Sequence, residues 1–244
     1  MKIVTWNCNG AFRKKFEHLS YYDADILIVQ ECENPIKSKD RHYMDWATNY
    51  IWIGDTKNKG IGIFAKKGVR LRKLEWRSEH MGHTVKHFLP CSINDEFNIL
   101  AVWLHQNNSP TFGYIGQFWK YLQVNKSLFT NTIIIGDFNS NARWDEWDRW
   151  WNHSDVVREL SEIGIVSLYH EYTGEQQGAE SSPTFYLHRN QDKSYHIDYC
   201  FAPKIFLKSL SELAIGRYDE WINISDHVPV IMNFETDRTQ LELR

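Results

Sequence analysis

Hydrophobic residues along the chain fall into short β-rich runs separated by polar or helix-periodic segments. Runs at residues 2–6, 25–30, 60–65, 98–104, 132–136, 184–187, 197–202 and 228–234 predict strands. Several, including IVTW, ILIV and TIIIG, lack polar alternation, the pattern of strands buried on both faces. An apolar period near that of an α-helix predicts helices over 11–20, 113–128 and 154–163. For the last of these, Ser154 is the expected N-cap and Gly164 the residue that stops the helix. Strands and helices alternate early and strands dominate later. The pattern therefore predicts an α/β (α+β) fold of mixed sheets covered by helices. No linker, repeat or low-complexity tract interrupts it, so one domain over 1–235 with a polar tail at 236–244 is expected.

Composition narrows the classes. With 244 residues, 42% hydrophobic and 24% charged, the chain can bury a sizeable core, and a disordered or collagen-like chain is excluded. No run approaches the ~18 apolar residues of a membrane span. Polar Asn7 arrives too early for a signal peptide, so a cytoplasmic protein without a membrane partner is expected. Cys8, Cys32, Cys91 and Cys200 form no CxxC pair, which excludes zinc-ribbon and thioredoxin motifs and fits buried reduced thiols. The net charge of −3 excludes a protein held to nucleic acid by bulk charge. Any phosphate-bearing partner must be held by a local patch or a metal.

Candidate chemistry sits at strand ends. Asn7, Glu31 and His105 follow apolar runs, Asp137 and Asn139 follow TIII, Asp198 lies in YHIDYCF, and Asp226 and His227 precede the last strand. A turn or capping role explains any one of these acids. Together they supply what metal-assisted phosphoryl chemistry needs. Carboxylates suit a hard divalent cation, amides and imidazoles can face phosphate oxygens, and one carboxylate can orient water.

The series TWNCNG, IVQEC, IIGDFNSN, YHIDYCF and ISDHVPV resembles the motifs of the endonuclease/exonuclease/phosphatase superfamily, which includes exonuclease III, the apurinic/apyrimidinic endonucleases and deoxyribonuclease I. The matches run in the family's order from Asn7 to His227. The resemblance implies a four-layer sandwich: two mixed β-sheets flanked by helices, deoxyribonuclease I-like, with the site at one end. It implies Mg²⁺ or Mn²⁺ held chiefly by Glu31, with Asn7 beside it and Asp226 as a second metal-facing carboxylate. Asp137 would activate water, Asn139 would hold a phosphate oxygen, His227 would stabilise charge on the phosphate, and Asp198 would fix the His227 tautomer. His105 would be a second phosphate-side donor. Phe185, Tyr195 and Ile197 fall where the repair nucleases of this family line a sugar pocket, although those enzymes usually carry Trp at the position of Tyr195. Core packing of strand aromatics is the competing explanation.

Three further features remain. Residues 57–77 carry eight basic side chains and one acid, and Lys66, Lys67, Arg70 and Arg72 form a stripe suited to a DNA backbone or to a solvated strand edge. Trp144, Trp147, Trp150 and Trp151 share one face if 144–151 is helical, either packed on the sandwich or offered to bases. His80, His83 and His87 invite a zinc reading but have no nearby fourth ligand. The leading expectation is a monomeric, metal-dependent DNA phosphodiesterase: a 3′→5′ exonuclease with apurinic-site endonuclease cleavage possible. The alternatives are a phosphatase or diesterase on a small or lipid-derived phosphate ester, and a non-catalytic scaffold.

Overall fold

The structure, a computed structural model, describes residues 1–107, 109 and 111–235; the tail expected at 236–244 lies outside them. Two six-stranded mixed sheets form its centre. The first contains β1 (Lys2–Asn7), β2 (Ile26–Cys32), β3 (Tyr50–Thr56) and β4 (Lys59–Ala65). The second contains β5 (Leu71–Lys73), β6 (Phe88–Ile93), β7 (Phe97–Trp103), β8 (Thr132–Asp137), β9 (Ile165–Ser167) and β10 (Asp198–Pro203). The chain then returns to the first sheet with β11 (Leu210–Ile215) and β12 (Val230–Phe234). The strand orders are β11-β12-β1-β2-β4-β3 and β9-β10-β8-β7-β6-β5. In each sheet one central pair is parallel, β1 with β2 and β7 with β8, and the remaining pairs are antiparallel.

Strand alternation explains the layers. Ile133 and Ile135 of β8 point into the core between the sheets, with Ile3, Ile28, Ile63 and Ile99. Ile134, between them, points outward to Phe118, Leu122 and Leu160. Val4 of β1 likewise packs outward, against Phe12, Phe16 and Trp221. The uniformly apolar strands are therefore covered on both faces, as their sequence requires.

The helices depart from expectation in detail. Residues 11–20 form two 3₁₀ segments, Phe12–Lys14 and Phe16–Tyr22, set between left-handed Ala11 (φ 53°) and Asp23 (φ 46°). The apolar period identified their buried face, Phe12, Phe16 and Leu19, but not the helix type. The second helix, α1 (Ile115–Asn125), gives way to a 3₁₀ segment, Lys126–Asn131. The third, α2 (His153–Glu162), is capped differently from the Ser154 expectation. Asp145 accepts from the amides of His153 (2.9 Å) and Ser154 (3.2 Å), and Asp155 from that of Asn152 (3.0 Å). Gly164 follows α2 at φ 80°, as expected.

The tryptophan stripe is not helical. Only Ala142–Trp144 forms a 3₁₀ turn, and irregular chain follows. Trp151 is buried beside Phe112, whereas Trp147 is almost fully exposed. Strand β6 escaped the sequence pattern because Pro90 interrupts it. In the fold Pro90 sits where the edge strand β5 has ended, and its carbonyl accepts from Leu74 N.

Candidate active site

The topology gathers one end of the sandwich. Asn7 ends β1, Glu31 lies near the end of the parallel β2, and Asp137 ends β8. Asp198 begins the antiparallel β10 directly opposite Asp137 in register. His227 precedes β12, which runs antiparallel to β1. Glu31 owes its direction to a bulge: the β2–β4 ladder steps from Gln30↔Ile61 to Cys32↔Gly60, and Glu31 takes φ 62°. Gly136, at φ 142°, could carry no Cβ, which would meet Val102 O at 2.1 Å.

The side chains form one line, hydrogen-bonded except where His227 faces Asp137 across 4.0 Å. His227 Nδ1 is 2.9 Å from Asp198 Oδ2, and its Nε2 is 4.0 Å from Asp137 Oδ2. Asp137 Oδ2 accepts from Asn7 Nδ2 (2.8 Å) and Asn139 Nδ2 (2.9 Å), and Oδ1 accepts from Asn139 N (2.9 Å). Asn7 Nδ2 also reaches Glu31 Oε1 at 3.4 Å. Burial raises the proton affinity of Asp137, and the neighbouring charge of Asp198 adds to it; His227 and the amide donors oppose. For His227, burial alone would lower the pKa, but Asp198 and Asp137 overcome it and raise it to about 9.

Asp137, Asp198 and His227 lie close enough to form a three-ligand group. The raised pKa of the imidazole argues against metal there, since a histidine must give up its proton to ligate a metal. Glu31 fits a hard cation better. Its Oε2 is buried and accepts no hydrogen bond; Lys59 Nζ lies 2.6 Å from it as an ion pair outside hydrogen-bond alignment. Asp226 stands at the edge: its Oδ1 is 3.5 Å from Ser225 Oγ, and its charge reaches His227 and Lys15.

His105 feels the charge of Glu31, and its ring lies 4.1 Å from that of Trp103 and 5.1 Å from that of His87. Its Nε2 is buried and has no partner among the described residues, and burial lowers its pKa despite the charge of Glu31. Phe185 packs on the His227 ring (4.6 Å), Tyr195 is paired opposite Phe185, and Trp144 packs on Tyr195 (5.0 Å). Ile197 is buried and forms no wall of this rim; its carbonyl accepts from Phe138 N.

Other predicted residues are not brought to the site. Lys66, Lys67, Arg70 and Arg72 follow the far end of β4, where Ala65 pairs with Ile26 at the start of β2. Lys66 pairs with Asp23 (2.9 Å) and Asp25 (3.0 Å), and Arg70 and Arg72 share Asp95 (2.9 and 2.8 Å). His80 and His83 face each other in a two-residue hairpin, and His87 stands apart beside His105. Among the described residues these three form no metal-ligating group.

Sequence reasoning missed the residues that hold the motifs together. Ser225 Oγ donates to Asn7 O (2.8 Å) and accepts from His227 N (3.1 Å). Thr184 Oγ1 accepts from Ile197 N and Asp198 N, both at 3.0 Å. Asn141 Nδ2 donates to Glu180 Oε2 (3.1 Å) and His196 O (3.0 Å), tying the loop after Asp137 to the segment leading into Asp198. Ser225 lies within ISDHVPV and Thr184 opens the predicted 184–187 run, but nothing local marks the part their hydroxyls play; Glu180 carries no local signal.

The model of the Endonuclease/Exonuclease/phosphatase family matches residues 4–227. No curated protein matches the chain. Among solved structures, a 3′-5′ exonuclease (NExo) from Neisseria meningitidis superposes with a TM-score of 0.68 at 17% identity, covering 97% of this chain and 100% of the other. The 3′ phosphatase NExo from Neisseria, bound to a product DNA hairpin, gives 0.70 at 16% identity with the same coverage. An AP endonuclease from Archaeoglobus fulgidus gives 0.68 at 16% identity, again over 97% and 100%. At these identities the likeness is one of fold. No helix among the described residues is long and apolar enough to cross a membrane.

Proposed function

The chain belongs to the endonuclease/exonuclease/phosphatase family, and from that premise we propose that it is a divalent-metal-dependent phosphodiesterase that hydrolyses DNA. Its principal activity is 3′→5′ exonuclease, with apurinic-site endonuclease cleavage as a second activity. The reading includes one catalytic domain over residues 1–235, acting as a cytoplasmic monomer with Mg²⁺ or Mn²⁺.

The observation that carries it is the line from Asp198 through His227, Asp137 and Asn7 to Glu31, assembled at one end of both sheets. Glu31 would hold the ion, with Asn7 beside it and Asp226 at the edge. A bound divalent ion supplies charge stabilisation on the phosphoryl oxygens. Asp137 takes the proton of the attacking water as its oxygen bonds to phosphorus, a role suited to a carboxylate whose proton affinity burial has raised; the opposite ester P–O bond breaks, and the departing oxygen is protonated from solvent. The His227 imidazolium presents Nε2–H to a phosphoryl oxygen, and Asp198 holds that tautomer through Nδ1. Asn139 spends its amide hydrogens on Asp137 and Leu104 O (3.1 Å), so it steadies the base while standing beside the phosphate.

The half-buried rings of Phe185 and Tyr195 beside His227 suit a sugar or base rather than a small polar headgroup. The neighbours described as an exonuclease, an AP endonuclease and a protein bound to a DNA hairpin support DNA as the substrate. The neighbour described as a 3′ phosphatase favours a second reading, removal of a terminal phosphate.

A panel of labelled duplex with a recessed 3′ end, abasic duplex, single strand, 3′-phosphorylated DNA, RNA and a soluble inositol phosphate, with and without EDTA, tests the proposal. EDTA-sensitive shortening of the recessed strand is expected. Turnover of the inositol phosphate alone, or of nothing, defeats it.

A further inference from the structure

A cleft of about 770 Å³, reached from Glu31 through its ion-pair partner Lys59, is lined by Asp55, Lys59, Lys86, His87, Trp103 and His105. Its size suits part of a nucleotide. Its one aspartate is already engaged: Asp55 is 3.2 Å from Lys86 Nζ and 3.7 Å from His87 Nε2. His105 Nε2 is buried and has no hydrogen-bond partner among the described residues. Lys59, at the start of β4, stands between this cleft and the catalytic line. Its Nζ is 2.6 Å from Glu31 Oε2 and 5.7 Å from the centre of the Trp103 ring, and about half of its side chain is exposed.

We propose that Lys59 is a phosphate-binding residue of this site: it shares Glu31 with the divalent ion and, when the ion takes that carboxylate, holds the nucleic-acid phosphate next to the scissile one in the cleft. Two cations cannot both draw fully on one carboxylate oxygen. An ion on Glu31 repels the Lys59 ammonium, and the flexible four-carbon stem can turn the head group over Trp103 into the cleft. There it meets His105, with Asp55 already neutralised by Lys86. Metal and substrate phosphate then favour each other's binding through one side chain, a linkage that is necessarily reciprocal. The identity of the anion rests on the nuclease reading above; the sharing of Glu31 does not.

The test separates the two. In an Asp137→Asn background, which slows cleavage, Mn²⁺ binding is titrated without substrate, with and without Lys59→Met. Removing the competing charge should tighten Mn²⁺ binding, by up to about tenfold for charges a few ångströms apart in a wet site. Unchanged or weaker binding overturns the proposal. With Mn²⁺ present, the slope of log affinity against log salt for a single-stranded oligonucleotide should fall by about 0.7 in Lys59→Met, the loss of one phosphate contact. Lys59→Arg should keep the parent slope. An unchanged slope in Lys59→Met overturns the phosphate role. If the parent binds Mn²⁺ but no oligonucleotide, the nuclease reading fails, and inorganic phosphate replaces the oligonucleotide. Equal phosphate binding by parent and Lys59→Met then overturns the proposal, and weaker binding by Lys59→Met supports it.

Discussion

His227 Nδ1 stands 2.9 Å from Asp198 Oδ2, although the two residues are 29 positions apart and reach the site on different sheets. The contact fixes which imidazole nitrogen faces outward. It also turns a ring that burial would discharge into one that stays protonated up to about pH 9.

Activity should therefore fall on the alkaline side as His227 loses its proton. The sign follows from the direction of the shift: a raised pKa keeps the acid form through neutrality and releases it as pH climbs. In Asp198→Asn the largest raising charge is gone, so the alkaline limb of kcat/KM should move to lower pH by a unit or more, with a rate loss of about 10²-fold or greater. A limb that stays in place would detach Asp198 from the protonation of His227. The same residue gives folding stability that is full below its ordinary pKa of ~6.5 and lost as pH rises through about 9.

Removal of the metal should act through Glu31. Its carboxylate lies on a bulge at a strand end rather than in the core, so Glu31→Ala should fold with a melting temperature close to the parent's. Turnover should drop by roughly 10³-fold or more, the scale of losing a positioned electrostatic group. EDTA should abolish parent activity, and added Mn²⁺ or Mg²⁺ should restore the parent but not the variant. Near-parental turnover in Glu31→Ala, measured on the best substrate of the panel, would remove Glu31 from the site.

The basic stripe shows where sequence reading fails. The basic residues are contiguous in sequence, but β4 runs the length of the sandwich. Lys59 and Lys66, seven residues apart, stand at its two ends, about 24 Å apart at ~3.4 Å per residue. Only the Lys59 end faces the catalytic line. Replacing Lys66, Lys67, Arg70 and Arg72 together with Gln should thus leave the salt slope of DNA binding unchanged. A flatter slope, read by fluorescence anisotropy over a salt series, would place DNA on the far end.

The legible parts were those in which one local signal sufficed. Doubly buried strands such as TIIIG announce themselves by composition, and the acids and amides at their ends carry the family's motifs. The period of residues 11–20 marked a buried face because burial alone sets it; 3₁₀ or α geometry depends on the flanking left-handed residues Ala11 and Asp23. Strand β6 was hidden by Pro90, whose tolerance comes from the short neighbouring β5 and is visible only in the sheet. Ser225 and Thr184 bond to backbone that the fold alone brings near, so their hydroxyls carry no signal in the chain itself.

Glu180 carries no local signal in the sequence, yet three donors hold it. Its side chain is 2% exposed and accepts from Gly178 N (2.9 Å) and Asn141 Nδ2 (3.1 Å), with His170 Nε2 3.2 Å away. Burial would raise its pKa, but these donors lower it to about 2. The carboxylate therefore stabilises the fold fully above its ordinary value of ~4.3, and that contribution fades as pH falls toward 2. Glu180→Ala removes a buried acceptor from Gly178 N, Asn141 and His170 and should cost about 1–3 kcal/mol at neutral pH. The difference from the parent should shrink in urea titrations taken to acid pH. Because Asn141 follows Asn139 by two residues, Glu180→Gln, which can still accept from Asn141, should retain more activity than Glu180→Ala. Equal stability of parent and Glu180→Ala at neutral pH would show that this buried network bears no weight.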